Sequence, residues 1–131
     1  MYIDSVCDQS VNIIVFWATW CKGCKKELDF IKENYEDSSG VKIIAVSQDK
    51  RKNRTKMINL INTKKWEFYY LWDSDMKLGR SLGVYALPTT IVVNEKGKIL
   101  FFKTGFGKKD KDKIVYFLKS GKKKDEEQNI K

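Results

Sequence analysis

Two cysteines separated by two residues lie at the junction between an apolar run and a helical pattern. Cys21 and Cys24 follow the apolar residues 11–16, and apolar side chains recur at helical spacing after them. A cysteine at a helix N-terminus faces unpaired N–H groups and the positive end of the helix dipole, and both stabilise thiolate over thiol. The i, i+3 spacing places the second sulfur on the same helix face, within reach of the first. The pair therefore suits reversible dithiol–disulfide chemistry.

The remaining cysteine and the absence of histidine restrict the other chemistries open to this pair. The chain has no histidine, and Cys7 is its third cysteine. Tetrahedral zinc needs four ligands, so we expect no metal site within one chain, and Cys–His proteases are excluded. Cys7 is most simply an incidental thiol, with a regulatory or intermolecular pairing as the alternative.

Alternating strand and helix patterns predict one α/β domain over residues 1–131, with a core at about 11–119. The order is β-α-β-α-β-α-β-β-α. Strands separated by helices are expected to run parallel and the last two to form an antiparallel hairpin, giving a three-layer α/β/α domain with a mixed central sheet. A last helix near residues 109–120 is followed by residues 122–131, which we expect to be a flexible tail. The predicted strands are residues 11–16, 41–47, 67–72, 89–93 and 99–103.

Cys21 falls where α/β sheets place their sites, just past the C-terminal end of the first strand. The only proline of the chain, Pro88, directly precedes the fourth strand. A proline is tolerated there because the first N–H of a strand need not join the ladder. Pro88 alone therefore predicts no function.

Two segments, taken together, are more specific. Residues 17–27 read Trp-Ala-Thr-Trp-Cys-x-x-Cys-Lys-Lys-Glu, and residues 83–99 contain Leu-Pro-Thr-Thr followed by a hairpin. These two segments resemble the active-site segment and the proline loop of thioredoxin-like proteins, in particular the TlpA/ResA/DsbE-like thiol–disulfide oxidoreductases. The resemblance implies a thioredoxin fold over about residues 11–119. It also implies an inserted helix–strand unit, here about residues 53–72.

The resemblance implies a role for each residue of a site. It makes Cys21 the exposed nucleophile and Cys24 the buried resolving thiol, and it implies no dissociable cofactor. It makes Leu87–Pro88 a cis bond packed against the disulfide, where the Leu87 backbone can pair with an extended substrate segment. Trp20 is expected to shield the disulfide edge and to contribute to substrate binding.

Some positions depart from ordinary thioredoxins. The buried acid that those proteins keep six residues before the first cysteine is replaced by Val15, whereas Glu27 matches an acid of the TlpA/ResA branch. A carboxylate near the buried sulfur can accept the proton of Cys24; the alternative is an ordinary first-turn glutamate favoured by the helix dipole. Lys22 adds positive charge that favours a thiolate, and Gly23 replaces a common proline, so both bear on the reduction potential.

The predicted function is the reduction of disulfides in extracytoplasmic proteins, such as apocytochrome c, with electrons from a membrane-bound or thioredoxin-type donor. Two alternatives are a disulfide-forming oxidase that uses the same residues in reverse and a redox-inert module that binds peptides at the proline loop. The resemblance implies a periplasmic or otherwise extracytoplasmic bacterial setting. No secretory signal is visible at residues 1–4, so a cytoplasmic location is the alternative. We expect a monomer.

The net charge of +9 raises the question of nucleic acid. The chain has no aromatic–basic RNA signature, helix-turn-helix pattern or zinc-finger spacing, so no nucleic-acid partner is expected. Its positive residues concentrate at residues 50–54 and 122–124. Such runs are usually solvated loops and tails, and weak attraction to an anionic membrane surface is the alternative.

Overall fold

A mixed sheet of five strands forms the centre of the computed structural model, which describes Cys7, residues 9–36 and residues 40–130, the last ten as backbone. The spatial order is β3-β2-β1-β4-β5, so β1 is central. Strands β1 and β2 are buried along their whole length, as the continuous Val and Ile runs predict for strands covered on both faces. The strands are Val11–Trp17 (β1), Val41–Ser47 (β2), Tyr69–Trp72 (β3), Thr89–Val93 (β4) and Ile99–Thr104 (β5).

Helices cover both faces of the sheet. One face packs against Leu28, Met57 and Ile114, which come from three different helices, whereas the other face packs against Leu78 and the buried Cys7. This arrangement confirms the predicted three-layer α/β/α architecture. The helices are Lys22–Asn34 (α1), Arg54–Lys64 (α2), Lys77–Ser81 (α3) and Lys108–Ile130 (α4), and a 3-10 turn at Arg51–Asn53 precedes α2.

The direction of β4 corrects one prediction. A strand that follows a helix was expected to run parallel to its neighbours, but β4 pairs antiparallel with β1, Phe16 lying opposite Thr89. A parallel return would have to traverse the length of the sheet, about 16 Å for five residues. The five residues of α3 span only about 7.5 Å. α3 alone is therefore too short to be a crossover helix, and the strand directions show that the connection from Trp72 to Pro88 starts and ends at the same edge of the sheet.

Two boundaries also differ from the sequence prediction. Strand β3 begins at Tyr69, two residues later than expected, and α4 continues past Ser120 to Ile130. The Lys, Glu and Gln residues of that extension are good helix formers, which explains a helical backbone there; the flexible tail at residues 122–131 stays a prediction. Among the described residues, no helix is long and apolar enough to cross a membrane.

Candidate active site

The two cysteines form a disulfide at the start of α1. Cys21 caps the helix, and its sulfur accepts a hydrogen bond from the Cys24 backbone N–H at 3.2 Å. The Cα atoms of the pair are 5.3 Å apart. Cys21 keeps 8% of its surface exposed and Cys24 keeps none. Of the two cysteines, only Cys21 therefore has surface open to solvent, and it lies at the positive end of the helix.

Pro88 lies beside the cysteines because β4 enters the sheet at this edge. The Leu87–Pro88 bond is cis. A Cβ added to Gly23, between the cysteines, would lie 3.7 Å from Pro88 Cδ. The Pro88 carbonyl accepts a hydrogen bond from Gly105 N at 2.8 Å, which joins the loop to the end of β5. Two segments far apart in sequence thus form opposite walls of one site.

Glu27 is fully buried on the first turn beyond Cys24. Thr90 Oγ1 donates a hydrogen bond to Glu27 Oε2, and Oε1 has no hydrogen-bond partner among the described residues. The pKa of Glu27 is raised to about 7: burial is the largest cause, the Thr90 hydrogen bond lowers the pKa, and the negative charge of Asp110 adds to the rise. A group with this pKa can hold or release a proton near neutrality.

The carboxylate of Glu27 reaches the central strands through its hydrogen bond with Thr90. Thr90 lies directly across the β1–β4 ladder from Val15, the position where ordinary thioredoxins are expected to keep their acid. Glu27 therefore places its carboxylate beside the strand pair that contains Val15, although it is attached to α1.

The two tryptophans of the approach segment have different environments. Trp20 is 64% exposed beside Cys21. Trp17 is buried and packs edge-to-face on Trp66, with ring centroids 5.4 Å apart, as core packing predicts. Lys22 is exposed at the first residue of α1. Trp20 and Lys22 are thus the side chains that a partner meets on either side of Cys21.

Asp49 is a positioning residue that the sequence interpretation missed. It is fully buried, and its carboxylate accepts hydrogen bonds from Thr19 N at 3.0 and 3.1 Å, Thr19 Oγ1 at 2.7 Å and Ser47 Oγ at 2.7 Å. Thr19 lies two residues before Cys21, so Asp49 fastens the approach to the disulfide onto the end of β2. The available signal was a polar Ser47-Gln48-Asp49 run ending a buried strand at the edge predicted to carry the site.

A second buried carboxylate, Asp73, organises the neighbouring connection. It accepts hydrogen bonds from Leu78 N at 3.0 Å, Gly79 N at 2.8 Å and Gln48 Nε2 at 3.1 Å. These contacts hold the start of α3 against the end of β2. No cluster of three or more side chains suited to a metal ion occurs among the residues that the structure describes.

Comparison with known proteins identifies a family and named relatives. A family model described as the AhpC/TSA family matches residues 4–102. The thiol-disulfide oxidoreductase ResA of Bacillus subtilis (strain 168) is 34% identical over 92 residues, which are 69% of this chain and 50% of that protein. The thiol:disulfide interchange protein DsbE of Tatumella citrea is 36% identical over 90 residues, 68% of this chain and 46% of that protein. The chain spans 59% of ResA of Bacillus thuringiensis (strain Al Hakam) and about half the length of the other two.

Solved structures share the fold. StoA of Bacillus subtilis is 28% identical with a TM-score of 0.66, covering 84% of this chain and 83% of its own. A thioredoxin-like protein of Porphyromonas gingivalis is 32% identical with a TM-score of 0.71, covering 87% and 76%. A DsbE-type structure from Chlorobium tepidum, at 24% identity, reaches a TM-score of 0.78 over 89% and 83%. The predicted thioredoxin fold is confirmed.

Proposed function

This chain belongs to the AhpC/TSA family, and within that family we propose that it is a thiol–disulfide oxidoreductase that reduces protein disulfides. The observation that carries the proposal is the Cys21–Cys24 disulfide at the start of α1, next to the cis Leu87–Pro88 bond. The relatives named ResA and DsbE, a thiol-disulfide oxidoreductase and a thiol:disulfide interchange protein, support the reaction class.

The first step is attack by Cys21. Its thiolate, stabilised by the N-terminus of α1 and by the nearby charge of Lys22, attacks one sulfur of a substrate disulfide. A mixed disulfide forms between Cys21 and the substrate, and the other substrate sulfur leaves as a thiolate that takes up a proton. The residual exposure of the Cys21 sulfur permits this attack, and its neighbour is shielded from it.

The second step is resolution by Cys24. The buried Cys24 thiol gives its proton to the Glu27 carboxylate, and the resulting thiolate attacks the Cys21 sulfur. The substrate leaves as its second thiol, and the Cys21–Cys24 disulfide forms. Two electrons have passed from the protein dithiol to the substrate, so a further dithiol must later reduce the protein again.

The substrate segment binds along the proline loop. The Leu87 backbone is the partner for an extended chain, as in strand addition to a sheet edge, and Trp20 covers the disulfide on the opposite side. A Cβ at position 23 would make an ordinary contact with Pro88 Cδ at 3.7 Å, so Gly23 faces the proline loop directly. Gly23 and Lys22 together adjust the reduction potential.

The setting follows the TlpA/ResA/DsbE resemblance. The substrates are disulfide-containing extracytoplasmic proteins, with apocytochrome c as one candidate, and a membrane-bound or thioredoxin-type dithiol protein supplies electrons. The chain works as a monomer outside the bacterial cytoplasm, with no dissociable cofactor. A weak attraction to anionic membrane surfaces agrees with its charge of +9.

Trapping of the mixed disulfide tests the proposal. Cys21→Ser should abolish insulin reduction, whereas Cys24→Ser should accumulate a mixed disulfide, because attack proceeds and resolution does not. Cys7→Ala is the control and should reduce insulin like the wild type, since Cys7 lies in the core on the other face of the sheet. Insulin reduction by Cys21→Ser at the wild-type rate would contradict the proposed role of Cys21, and a wild-type protein that reduces no insulin would favour a redox-inert binding module. A reduction potential far more oxidising than about −270 mV would instead indicate an oxidase.

A further inference from the structure

The basic run at residues 50–52 follows β2 at the sheet edge where the disulfide follows β1. Lys50 directly follows Asp49, whose carboxylate binds Thr19 at 2.7 Å, and Thr19 is two residues from Cys21. Lys50, Arg51 and Lys52 are all exposed, and the last two begin the 3-10 turn before α2. We call these three residues the basic rim. The basic rim therefore lies at the same sheet edge as the proposed reaction site.

Two exposed tryptophans border the same region. Trp72 ends β3, donates its indole N–H to the Asp49 carbonyl at 2.8 Å and is 39% exposed. Trp20, on the other side of Asp49, is 64% exposed. Exposed indole faces next to cations suit a polypeptide segment that carries both apolar and anionic groups.

Exposed positive side chains outnumber exposed negative ones at this edge. Asp49 and Asp73 are buried beneath it and saturated by hydrogen bonds from the protein itself. Among the described residues of the connections at this edge, the exposed acid is Asp75, and its carboxylate lies 4.0 Å from Lys77 Nζ. The start of α4 reaches the same edge through the Gly105–Pro88 hydrogen bond. The exposed cationic side chains of these connections and of the adjoining first helix residues are Lys22, Lys50, Arg51, Lys52, Lys77, Arg80 and Lys108.

We propose that the basic rim and Trp72 select protein substrates with an acidic segment next to the disulfide that is reduced. The inference rests on the proposed function and names its substrate class. Arg51 can bind a carboxylate with two parallel hydrogen bonds, and Lys50 adds a second positive charge. A positively charged border also steers anionic partners and raises their association rate.

The sheet geometry sets where the acidic residues should lie. The proline loop continues into β4, and the basic rim follows β2, two strands away across β1. Two strand spacings are about 10 Å, which an extended chain crosses in about three residues. Acidic side chains two to four residues from the substrate cysteine, on the side away from the proline loop, therefore reach the basic rim.

Three matched peptides test the inference. They share one disulfide and one sequence, and carry Glu, Gln or Lys at the positions two to four residues from the reacting cysteine. With the reduced protein at low salt, kcat/KM for the Glu peptide should exceed that for the Gln peptide about fivefold or more, with the Lys peptide slowest. The difference should shrink in 0.5 M NaCl, because salt screens exposed charges.

Two variants with the same change in net charge test whether the effect depends on the position of the charges or only on the total charge. Lys50→Glu/Arg51→Glu should abolish or reverse the Glu-to-Gln ratio. Lys96→Glu/Lys98→Glu changes two exposed lysines in the hairpin after β4, at the opposite end of the sheet. It should keep the wild-type ratio.

Equal rates for the three peptides, or a ratio that survives Lys50→Glu/Arg51→Glu, would overturn the inference while leaving the oxidoreductase intact. If that variant instead loses binding to phosphatidylserine vesicles with its peptide ratio unchanged, the basic rim serves a lipid surface and the inference is wrong. Failure of the proposed function looks different. In that case all three peptides and insulin remain unreduced, and both the proposed function and the inference are wrong.

Discussion

Glu27 shows how burial alone can set the chemistry of a residue. A glutamate in the first turns of an exposed helix is ionised at neutral pH, but here desolvation raises its pKa to about 7. The proposed role requires the ionised form, since only a carboxylate can accept the Cys24 proton. Resolution of the mixed disulfide should therefore speed up as the pH rises through about 7.

The same pKa predicts a pH dependence of stability. The unfolded chain releases the Glu27 proton near pH 4.5, whereas the folded chain holds it until about 7. Between those values the folded state binds more protons, so the free energy of unfolding falls as the pH rises and levels off above 7. The loss is about 3 kcal/mol. In urea titrations of the oxidised protein, Glu27→Gln should gain about this much relative to wild type between pH 4.5 and pH 8.

Thr90→Val is the companion variant for that measurement. The Thr90 hydrogen bond lowers the pKa of Glu27, so its removal should extend the fall in stability to higher pH without abolishing it. Parallel pH profiles for wild type and Glu27→Gln would show that Glu27 is ionised in the folded protein throughout this range, contrary to its burial.

At the scale of elements, the short helix α3 places the proline loop. Because β4 runs antiparallel to β1, it enters the sheet at the edge where Cys21 lies. The position of α3 depends on Asp73. The Asp73 carboxylate accepts hydrogen bonds from the N–H groups of Leu78 and Gly79 and from the side-chain amide of Gln48. The buried polar contacts of one connection thus determine where the second wall of the site stands.

Gly79→Ala should disturb this connection. Its added Cβ would lie 2.2 Å from Gln48 Nε2 and 3.3 Å from Asp73 Oδ2, so the buried Gln48–Asp73 hydrogen bond must give way. Loss of a buried hydrogen bond costs about 1–3 kcal/mol, against about 1 kcal/mol gained in helix propensity. The difference is a net destabilisation of up to about 2 kcal/mol, to be measured by urea denaturation.

Gly107→Ala is the matched control for that substitution. Its nearest neighbour would be Asp110 Oδ2 at 3.7 Å, an ordinary contact, so the change in stability should stay within about 0.5 kcal/mol. A Gly79→Ala variant as stable as Gly107→Ala would mean that Gln48 relaxes freely and that α3 tolerates its displacement.

At the scale of the whole molecule, the redox state and the stability of the fold are linked. The disulfide closes a loop of four residues, and the chain-entropy estimate for such a loop is about 2 kcal/mol. A protein that reduces others must itself be more stable when oxidised, whereas a strong oxidase is more stable when reduced. The free energy of unfolding should therefore be about 2 kcal/mol higher for the oxidised form, measured by tryptophan fluorescence in urea with and without excess dithiothreitol.

The double variant Cys21→Ser/Cys24→Ser provides the control for this comparison. It lacks the redox pair, so dithiothreitol should leave its unfolding curve unchanged. A wild-type protein that is equally or more stable in the reduced form would favour the oxidase over the reductase.

Local patterns in the sequence were sufficient to predict the helices and strands and the cysteine half of the site. The Val and Ile runs determined β1 and β2, because central strands need continuous apolar side chains. The cysteine spacing after β1 determined that both sulfurs share one helix face at its N-terminus. These properties depend on residues within a few positions of one another, which is the range over which periodicity and capping act.

Only the tertiary structure decided which distant groups meet at the cysteines. The antiparallel direction of β4, the contact of Thr90 with Glu27 and the clamp of Asp49 on Thr19 join residues 30 or more positions apart in sequence. No local periodicity encodes such partners, because they depend on which strands become neighbours and at which edge each connection ends. The sequence by itself therefore determined a dithiol at a helix N-terminus. Packing decided that this dithiol stands beside Pro88 and a buried acid with a pKa of about 7.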